Sequence, residues 1–251
     1  MLTQQRKQLI LDKLRQDGRI VATSLSESLN LSEDTIRRDL RALAAEGLLQ
    51  RVHGGALPAS PAAANFAVRS ALAVPGKQTI GRAGAGLVQP GQVVFIDGGT
   101  SCQQLALQLP ASLRATVVTH SPTIALALVE HPLIEVQLLG GRFYKHSVVA
   151  VGAATVEAIS RIHADLYFMG ASGVSASSGL STGDMEEALV KRALMAQAAE
   201  TWVLASAEKL NAASPYVIAA CREAAGLIVE ADTPEKVCAP FEAEGLTVLR
   251  A

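Results

Sequence analysis

Residues 31–56 run LSEDTIRRDLRALAAEGLLQRVHGGA. Ser32 suits a helix N-cap, and Glu33 and Asp34 place negative charge in the first turn, where the helix dipole favours it. Gly47 suits the stop just beyond a helix end. At about 100° per residue, with Ile36 at zero, Leu40 falls near 40° and Leu43 near −20°, while Arg37, Arg41, Asp34 and Arg38 fall between about 100° and 200°. One face is apolar and the opposite face carries three arginines. Alone, such a helix is more often simply solvated.

The flanking residues complete a pattern. Residues 6–17 predict a first helix with Leu9, Ile10 and Leu14 on one face, ended by Gly18. Ile20-Val21 is a short extended piece. Residues 23–29 predict a second helix capped by Thr23, and Asn30-Leu31 is a tight turn. After Gly47, residues 48–52 predict a strand and His53-Gly54-Gly55 a turn. A helix-turn-helix lays its second helix in the DNA major groove, N-terminal residues nearest the bases. Arginine there can grip guanine or pair with phosphate. The candidate DNA contacts are Ser32, Asp34, Thr35, Arg37 and Arg38, with Arg41 on the same cationic edge and Arg51 and His53 on the wing. TIRRDL, then L-x-x-x-G, then R-x-HGGA together resemble the N-terminal domain of the DeoR family of bacterial transcriptional regulators over nearly all of residues 4–56.

The whole chain of 251 residues, with 22 basic and 23 acidic side chains, says nothing by bulk charge about nucleic acid. Residues 1–57 hold nine Lys/Arg against seven Asp/Glu, and the remainder 13 against 16, a mildly basic reader on an acidic body. Three cysteines, Cys102, Cys221 and Cys238, lack ligand spacing and suit reduced thiols, so no metal is expected. The N-terminus lacks a signal-peptide core and no apolar run reaches the roughly 18 residues of a membrane span, so a cytoplasmic protein with no membrane partner is expected.

Residues 58–76, rich in Ala and Pro, read as a linker with a short helix at 66–71. From Lys77 to the end, apolar β-branched runs alternate with alanine-rich helical stretches. Strands are expected at 93–96, 116–119, 135–139, 166–169, 202–204, 227–229 and 246–249, with helices at 78–88, 102–109, 122–130, 153–162 and 185–200. Nearly continuous apolar strands between helices predict a mostly parallel sheet covered on both faces. The expected organisation is therefore α/β: a winged helix-turn-helix at 1–57, a linker at 58–76 and an α/β domain at 77–251.

Ligands of open α/β sheets sit at the carboxyl ends of the strands. DGGTS, residues 97–101, joins a strand to a helix start through glycines and hydroxyls, which suits an anion. Thr119-His120-Ser121, Gly140-Gly141-Arg142, the turn at Gly170, and Ser206 with Lys209 are expected on the same rim. His120 is open between a pocket wall and a packed histidine. Asp184, Glu186 and Glu187 read as favouring the start of the long helix, and Lys191 and Arg192 as solvated.

This half also resembles the DeoR family through Lys77 with Ile80, IDGGTS at 96–101, VVTHS at 117–121, LLGG at 138–141, VG at 151–152, EALVKRA at 187–193 and VLASAEK at 203–209. The resemblance implies a fold similar to ribose-5-phosphate isomerase and glucosamine-6-phosphate deaminase, binding a phosphorylated sugar. It implies effector contacts at Lys77, Asp97, Gly98, Gly99, Thr100, Ser101, His120, Ser121, Gly140, Gly141, Gly170, Ser206 and Lys209, with Lys209 and Lys77 on the phosphate and Asp97 on a hydroxyl. The family's usual asparagine is His120 here, and the aspartate of its D-S-S-K motif is Ser206 while Lys209 is kept, which puts the identity of the effector in doubt. The implied function is a repressor of a carbohydrate-metabolism operon, relieved by the phosphosugar and acting as a homodimer or homotetramer on double-stranded operator DNA, with no catalytic residues and no cofactor. Two other readings stand beside it. One is a sugar-phosphate isomerase-like enzyme, against which no acid–base pair is evident. The other is a dinucleotide-sensing regulator, which needs G-x-G-x-x-G after the first strand, whereas GRAGAG at 81–86 precedes it.

Overall fold

The computed structural model describes residues 2–251. The N-terminal elements are α1 (Thr3–Asp17), β1 (Ile20–Val21), α2 (Ala22–Leu29), α3 (Glu33–Ala45), β2 (Gln50–Val52) and β3 (Gly55–Leu57). The three strands form one antiparallel sheet in the order β1-β3-β2. Ile10, Leu14, Leu25, Ile36, Leu40, Leu43 and Leu49 close a separate core beneath α3. Ser32 caps α3 by accepting the Thr35 N–H at 3.3 Å. The far end closes as a Schellman motif, with Leu48 N donating to Leu43 O at 3.0 Å and Gly47 N to Ala44 O at 3.0 Å, Gly47 at φ 73°. The expected cap at Thr23 is not formed. Helix α2 begins one residue earlier because the Ala22 N–H is taken by Gly54 O of the wing turn at 2.8 Å. A buried ion pair, Arg6 to Asp39, fastens α1 to α3 through two contacts, Arg6 Nε to Oδ2 and Nη2 to Oδ1 at 3.1 Å.

The segment after the wing runs along the α/β body. Ala213 N donates to Pro58 O at 3.3 Å, and the Ser60 hydroxyl donates to Ser172 O. Asn65 caps α4 (Phe66–Ser70), accepting from Val68 N at 3.0 Å, and Phe66 N donates to His146 O at 2.9 Å.

The body follows as α5 (Val74–Ala85), β4 (Val93–Ile96), α6 (Thr100–Ala106), β5 (Ala115–Thr119), α7 (Pro122–Ala127), β6 (Ile134–Leu138), β7 (Arg142–Tyr144), β8 (Val149–Val151), α8 (Ala153–Ile159), β9 (Ala164–Gly170), β10 (Gly173–Ser175), β11 (Gly179–Thr182), α9 (Met185–Ala196), β12 (Ala198–Leu204), β13 (Tyr216–Ala219), β14 (Gly226–Val229), α10 (Glu235–Ala243) and β15 (Thr247–Arg250). A seven-stranded parallel sheet in the order β15-β14-β12-β9-β4-β5-β6 forms its centre, as the apolar runs require. Two apolar clusters cover its faces, one around Phe95, Tyr167, Met169 and Val203, the other around Ile80, Leu105, Phe168 and Ile228. The expected helix at 185–200 overruns. Although Ala198, Ala199 and Glu200 are good helix formers, β12 starts at Ala198 because it pairs with β9 from Ala164 onward. A small antiparallel sheet, β10-β11-β13, and the hairpin β7-β8 stand beside the main sheet and were not expected.

Candidate functional site

The chain order of the sheet reverses around β4, and the carboxyl ends of β4, β9 and β12 converge there. At the tip of β4 sits Asp97, fully buried. Its Oδ1 accepts from Gly98 N at 2.8 Å and from His120 Nε2 at 2.9 Å, and its Oδ2 from Gly170 N at 2.9 Å and from Lys191 Nζ. Lys191 Nζ also donates to Gly170 O at 2.9 Å. Burial pushes the Asp97 carboxyl up, but Lys191 and His120 outweigh it and hold the group well below the usual carboxylate range. Burial likewise lowers the Lys191 ammonium, and Asp97 with Glu187 more than restores it. His120 Nδ1 lies 2.7 Å from Ala150 O. Both of its ring nitrogens thus face oxygens.

Above this network lies a narrow pocket lined by Gly98, Gly99, Thr100, Ser101 and Cys102 at the start of α6, Gly170, Ala171 and Ser172 after β9, Thr182, Glu187 and Lys191, Glu208 and Lys209, with Lys77, Arg69, Ala62 and Ser147 closing it. About 470 Å³ around it is free of protein atoms, part of that open to solvent, but only about 20 Å³ can hold the centre of a water molecule. Gly98 is required because a Cβ would meet Val149 Cγ1 at 2.2 Å, and Gly99, at φ 105°, turns the chain into α6. The first helical turn leaves N–H groups without intrahelical acceptors, and here that turn faces the pocket.

Lys209 Nζ donates to Ser101 Oγ at 2.9 Å and Leu204 O at 3.2 Å, and burial lowers its ammonium to about 8 against the pull of Glu208. Glu187 Oε2 accepts from Ser147 Oγ at 3.2 Å and Thr182 Oγ1 at 3.4 Å. Glu208 accepts from Ser206 Oγ at 2.8 Å and lies 3.9 Å from Lys77 Nζ. Cys102 is buried, and that burial pushes its thiol up to about 12, so it stays protonated.

Of the expected effector residues, Lys77, Gly98, Gly99, Thr100, Ser101, Gly170 and Lys209 line this pocket. Asp97 and His120 lie beneath it with their polar atoms already engaged, Ser206 points to Glu208, and Ser121 Oγ meets Thr123 Oγ1 at 2.9 Å. Gly140 and Gly141 lie outside, where Gly140 O accepts from Thr155 Oγ1 at 2.8 Å. Lys77 lines the pocket, yet its Nζ donates to Arg69 O at 2.7 Å and to Leu72 O.

Two expectations are corrected. Lys191 is not solvated but buried against Asp97, whereas Arg192 is exposed as expected and its guanidinium also donates to Ile218 O at 2.8 Å and to Val217 O. Asp184 does cap α9, accepting from Glu186 N and Glu187 N, each at 3.0 Å, but Glu187 turns inward to the pocket. Sequence reasoning missed Arg69, Glu187 and Lys191; the i, i+4 spacing of the last two was the available signal, placing them on one helix face.

On α3, Ser32, Asp34, Arg37, Arg38 and Arg41 are exposed, Thr35 is half-buried, and Arg51 and His53 are exposed on the wing. Arg37 is drawn to Glu33 at 2.7 Å, whereas Arg38 and Arg41 form no ion pair among the described residues. Among the described residues no helix is long and apolar enough to cross a membrane.

Residues 6–61 match the DeoR-like helix-turn-helix domain and residues 73–231 the DeoR C terminal sensor domain. The HTH-type transcriptional regulator GlpR of Haloferax volcanii is 33% identical over 99% of this chain and 98% of its own. The HTH-type transcriptional repressor GlcR of Bacillus subtilis is 31% identical over 99% of this chain and 96% of its own. Among solved structures, ribose 5-phosphate isomerase A of Methanocaldococcus jannaschii superposes on 53% of this chain and 52% of its own, at 16% identity and a TM-score of 0.40.

Proposed function

Because the chain belongs to the DeoR family of transcriptional regulators, we propose that it is a repressor of a carbohydrate-metabolism operon, released from its operator by a phosphorylated sugar. Residues 1–57 act as reader, 58–76 as linker and 77–251 as sensor. The observation that carries the reading is the pocket at the strand ends. Three cationic side chains, Arg69, Lys77 and Lys209, face it beside the first turn of α6, against the two carboxylates Glu187 and Glu208, while Asp97 is neutralised from below by Lys191. That balance favours an anion, and Glu187, Thr100 and Ser101 are placed to accept from or donate to sugar hydroxyls. In this reading Lys209 and the α6 turn take the phosphate, while Asp97, whose oxygens already accept from Gly98 N, His120 Nε2, Gly170 N and Lys191 Nζ, positions Lys191 and the Gly98 and Gly170 turns rather than a hydroxyl.

The reader is α3. Arg38 and Arg41 are free for the major groove, Arg37 is shared with Glu33, and Arg51 and His53 on the wing reach phosphate or the minor groove. A palindromic operator requires at least a homodimer. Leu126 on α7, Leu138 on the edge strand β6 and Phe143 on β7 are at least half exposed, and are the apolar surface a second copy would cover. The relatives are named as transcriptional regulators, and in this reading the pocket senses a sugar phosphate rather than converting it. The test is fluorescence anisotropy on labelled DNA from upstream of the protein's own gene, at fixed salt, titrated with pentose, hexose and triol monophosphates. Release by one compound and not by its unphosphorylated parent is the expected result; no release by any overturns the sensor reading.

A further inference from the structure

The pocket as it stands leaves only about 20 Å³ for the centre of a water molecule, so a sugar phosphate must move a wall. Most walls are strand ends and helix starts fixed in the sheet core. The exception is the wall supplied by the segment between wing and body, through Ala62 and Arg69. Arg69 reaches from α4 into the pocket. Its Nε is buried with no hydrogen-bond partner, and its Nη2 meets only Ser147 Oγ at a long 3.4 Å. Arg69 is half-buried, and a buried, unpartnered Nε is costly, while a phosphate is the partner its fork of donors matches. The backbone of the same residue is held from the body, because its carbonyl accepts from Lys77 Nζ at 2.7 Å.

Following the chain back from Arg69 leads to the wing. Phe66 N is fixed to His146 O at 2.9 Å, next to the pocket residue Ser147; the Ser60 hydroxyl is fixed to the carbonyl of the pocket residue Ser172; Pro58 O is fixed to Ala213 N at 3.3 Å; and Leu57 is the last residue of β3. Between wing and pocket the linker is thus fastened to the pocket rim at successive points.

We propose that Arg69 plugs the empty pocket and becomes a ligand of the effector's phosphate, so that occupancy of the pocket is read as a displacement of the linker and, through it, of the wing. This rests on the sensor reading above and adds a residue, outside the α/β body, that couples the site to the DNA reader. Arg69 is a binding and coupling residue, and its charge and its fork both matter. Lysine in its place keeps the charge and loses the paired donors.

The test compares the full-length wild type with Arg69→Met and Arg69→Lys, using two probes. Inorganic phosphate is followed by thermal melting, and the sugar monophosphates by release of labelled operator. The folding of each variant is read independently, from its circular dichroism and its melting temperature without any probe. Phosphate is expected to raise the melting temperature of the wild type and not of Arg69→Met, with Arg69→Lys between them. The releasing sugar phosphate is expected to need at least a tenfold higher concentration on Arg69→Met, and hydrogen exchange in residues 58–72 is expected to change when it binds the wild type. An Arg69→Met protein stabilised by phosphate and released by the sugar phosphate at wild-type concentrations overturns the proposal, as does a wild type indifferent to phosphate. Stabilisation of the wild type alone by phosphate, with no sugar phosphate releasing DNA, leaves Arg69 as the anion's ligand and overturns the sugar-phosphate reading instead.

Discussion

Replacing Lys191 with methionine keeps most of the side-chain volume and removes the ammonium that pairs with Asp97 Oδ2 and Gly170 O. Asp97 would remain fully buried with Gly98 N, Gly170 N and His120 Nε2 as its donors. Removing one partner of a buried pair costs about 3–5 kcal/mol. Since His120 continues to compensate the carboxylate, the lower end, about 3 kcal/mol, is expected. That is a large part of the roughly 5–15 kcal/mol that holds a domain folded. With a urea slope near 3 kcal/mol/M, the midpoint falls by about 1 M. Trp202, the only tryptophan in the sequence, lies on β12 opposite Phe168 of β9 and reports the unfolding of this sheet by fluorescence. The loss also carries a pH signature. The folded pKa of Asp97 is depressed, so its contribution to stability is present above the unfolded value of 3.8 and is lost as pH falls below it. Without Lys191, burial prevails, the folded pKa rises, and the deficit of Lys191→Met is greatest near neutral pH and narrows as Asp97 takes a proton in acid. A deficit under about 1 kcal/mol, or one of equal size at pH 7 and pH 4, would refute the view that Asp97 and Lys191 form the electrostatic floor of the pocket.

Arg38→Ala should weaken operator binding by about 1–3 kcal/mol and relax sequence preference if the side chain reads a base, while Arg37→Ala, already shared with Glu33, should lose less; competition anisotropy with operator variants separates the two. Asp39→Ala strands the Arg6 guanidinium between α1 and α3 and should destabilise the winged helix by about 1.5–3 kcal/mol, seen as an earlier helical transition in circular dichroism while Trp202 fluorescence stays unchanged; simultaneous transitions would count against independent cores. Lys209, lowered by burial to about 8, binds an anion best while protonated, so effector affinity should be flat around pH 7 and fall by up to tenfold per unit above about 8. Its effect on stability has the opposite sign to that of Asp97: the unfolded lysine, at 10.5, binds the proton that the folded one has shed, so this group's penalty to folding is relieved between about 8 and 10.5. A pH-independent release constant in anisotropy would remove Lys209 from the phosphate.

Most strands of the parallel sheet were legible because their central stretches are short runs of Val, Ile, Leu, Phe or Tyr buried on both faces, while the edge strands β6 and β15 carry exposed and polar residues. The recognition helix was legible because its cap, apolar stripe and Gly47 stop are all local. What escaped was whatever depends on distant pairing. Strands β7, β8, β10, β11 and β13 are three or four residues long and several are rich in serine and glycine, and they exist because antiparallel neighbours complete their hydrogen bonds. Helix α10 contains Pro240, a residue that argues against a helix interior on local grounds. In the site, DGGTS could be read from one stretch, but Lys191 stands 94 residues from the Asp97 it neutralises, and its i, i+4 spacing from Glu187 places it on a helix face without saying which partner that face meets. Arg69 was hidden for the same reason, inside a stretch whose composition says linker.

The chain's departures from the family pattern have a common electrostatic sense. His120, in place of the usual asparagine, adds a donor against Asp97 and engages the one carboxylate at the strand tip more completely. Ser206 removes a carboxylate from the start of the segment leading to Lys209. Yet the pocket has not lost that charge, because Glu208, two residues further on, lines it and accepts from the Ser206 hydroxyl at 2.8 Å. The negative group has been moved from the buried floor toward Lys77, 3.9 Å away. Lys77 in turn holds the carbonyl of Arg69. A carboxylate placed there sits at the seam between sensor and linker, where it acts on the two lysines that an incoming phosphate and the linker backbone both use. The substitution therefore bears on how strongly the pocket grips the linker when empty as much as on which sugar it accepts, and the two are linked, since any phosphate that draws Lys77 or Arg69 toward itself loosens the same fastening.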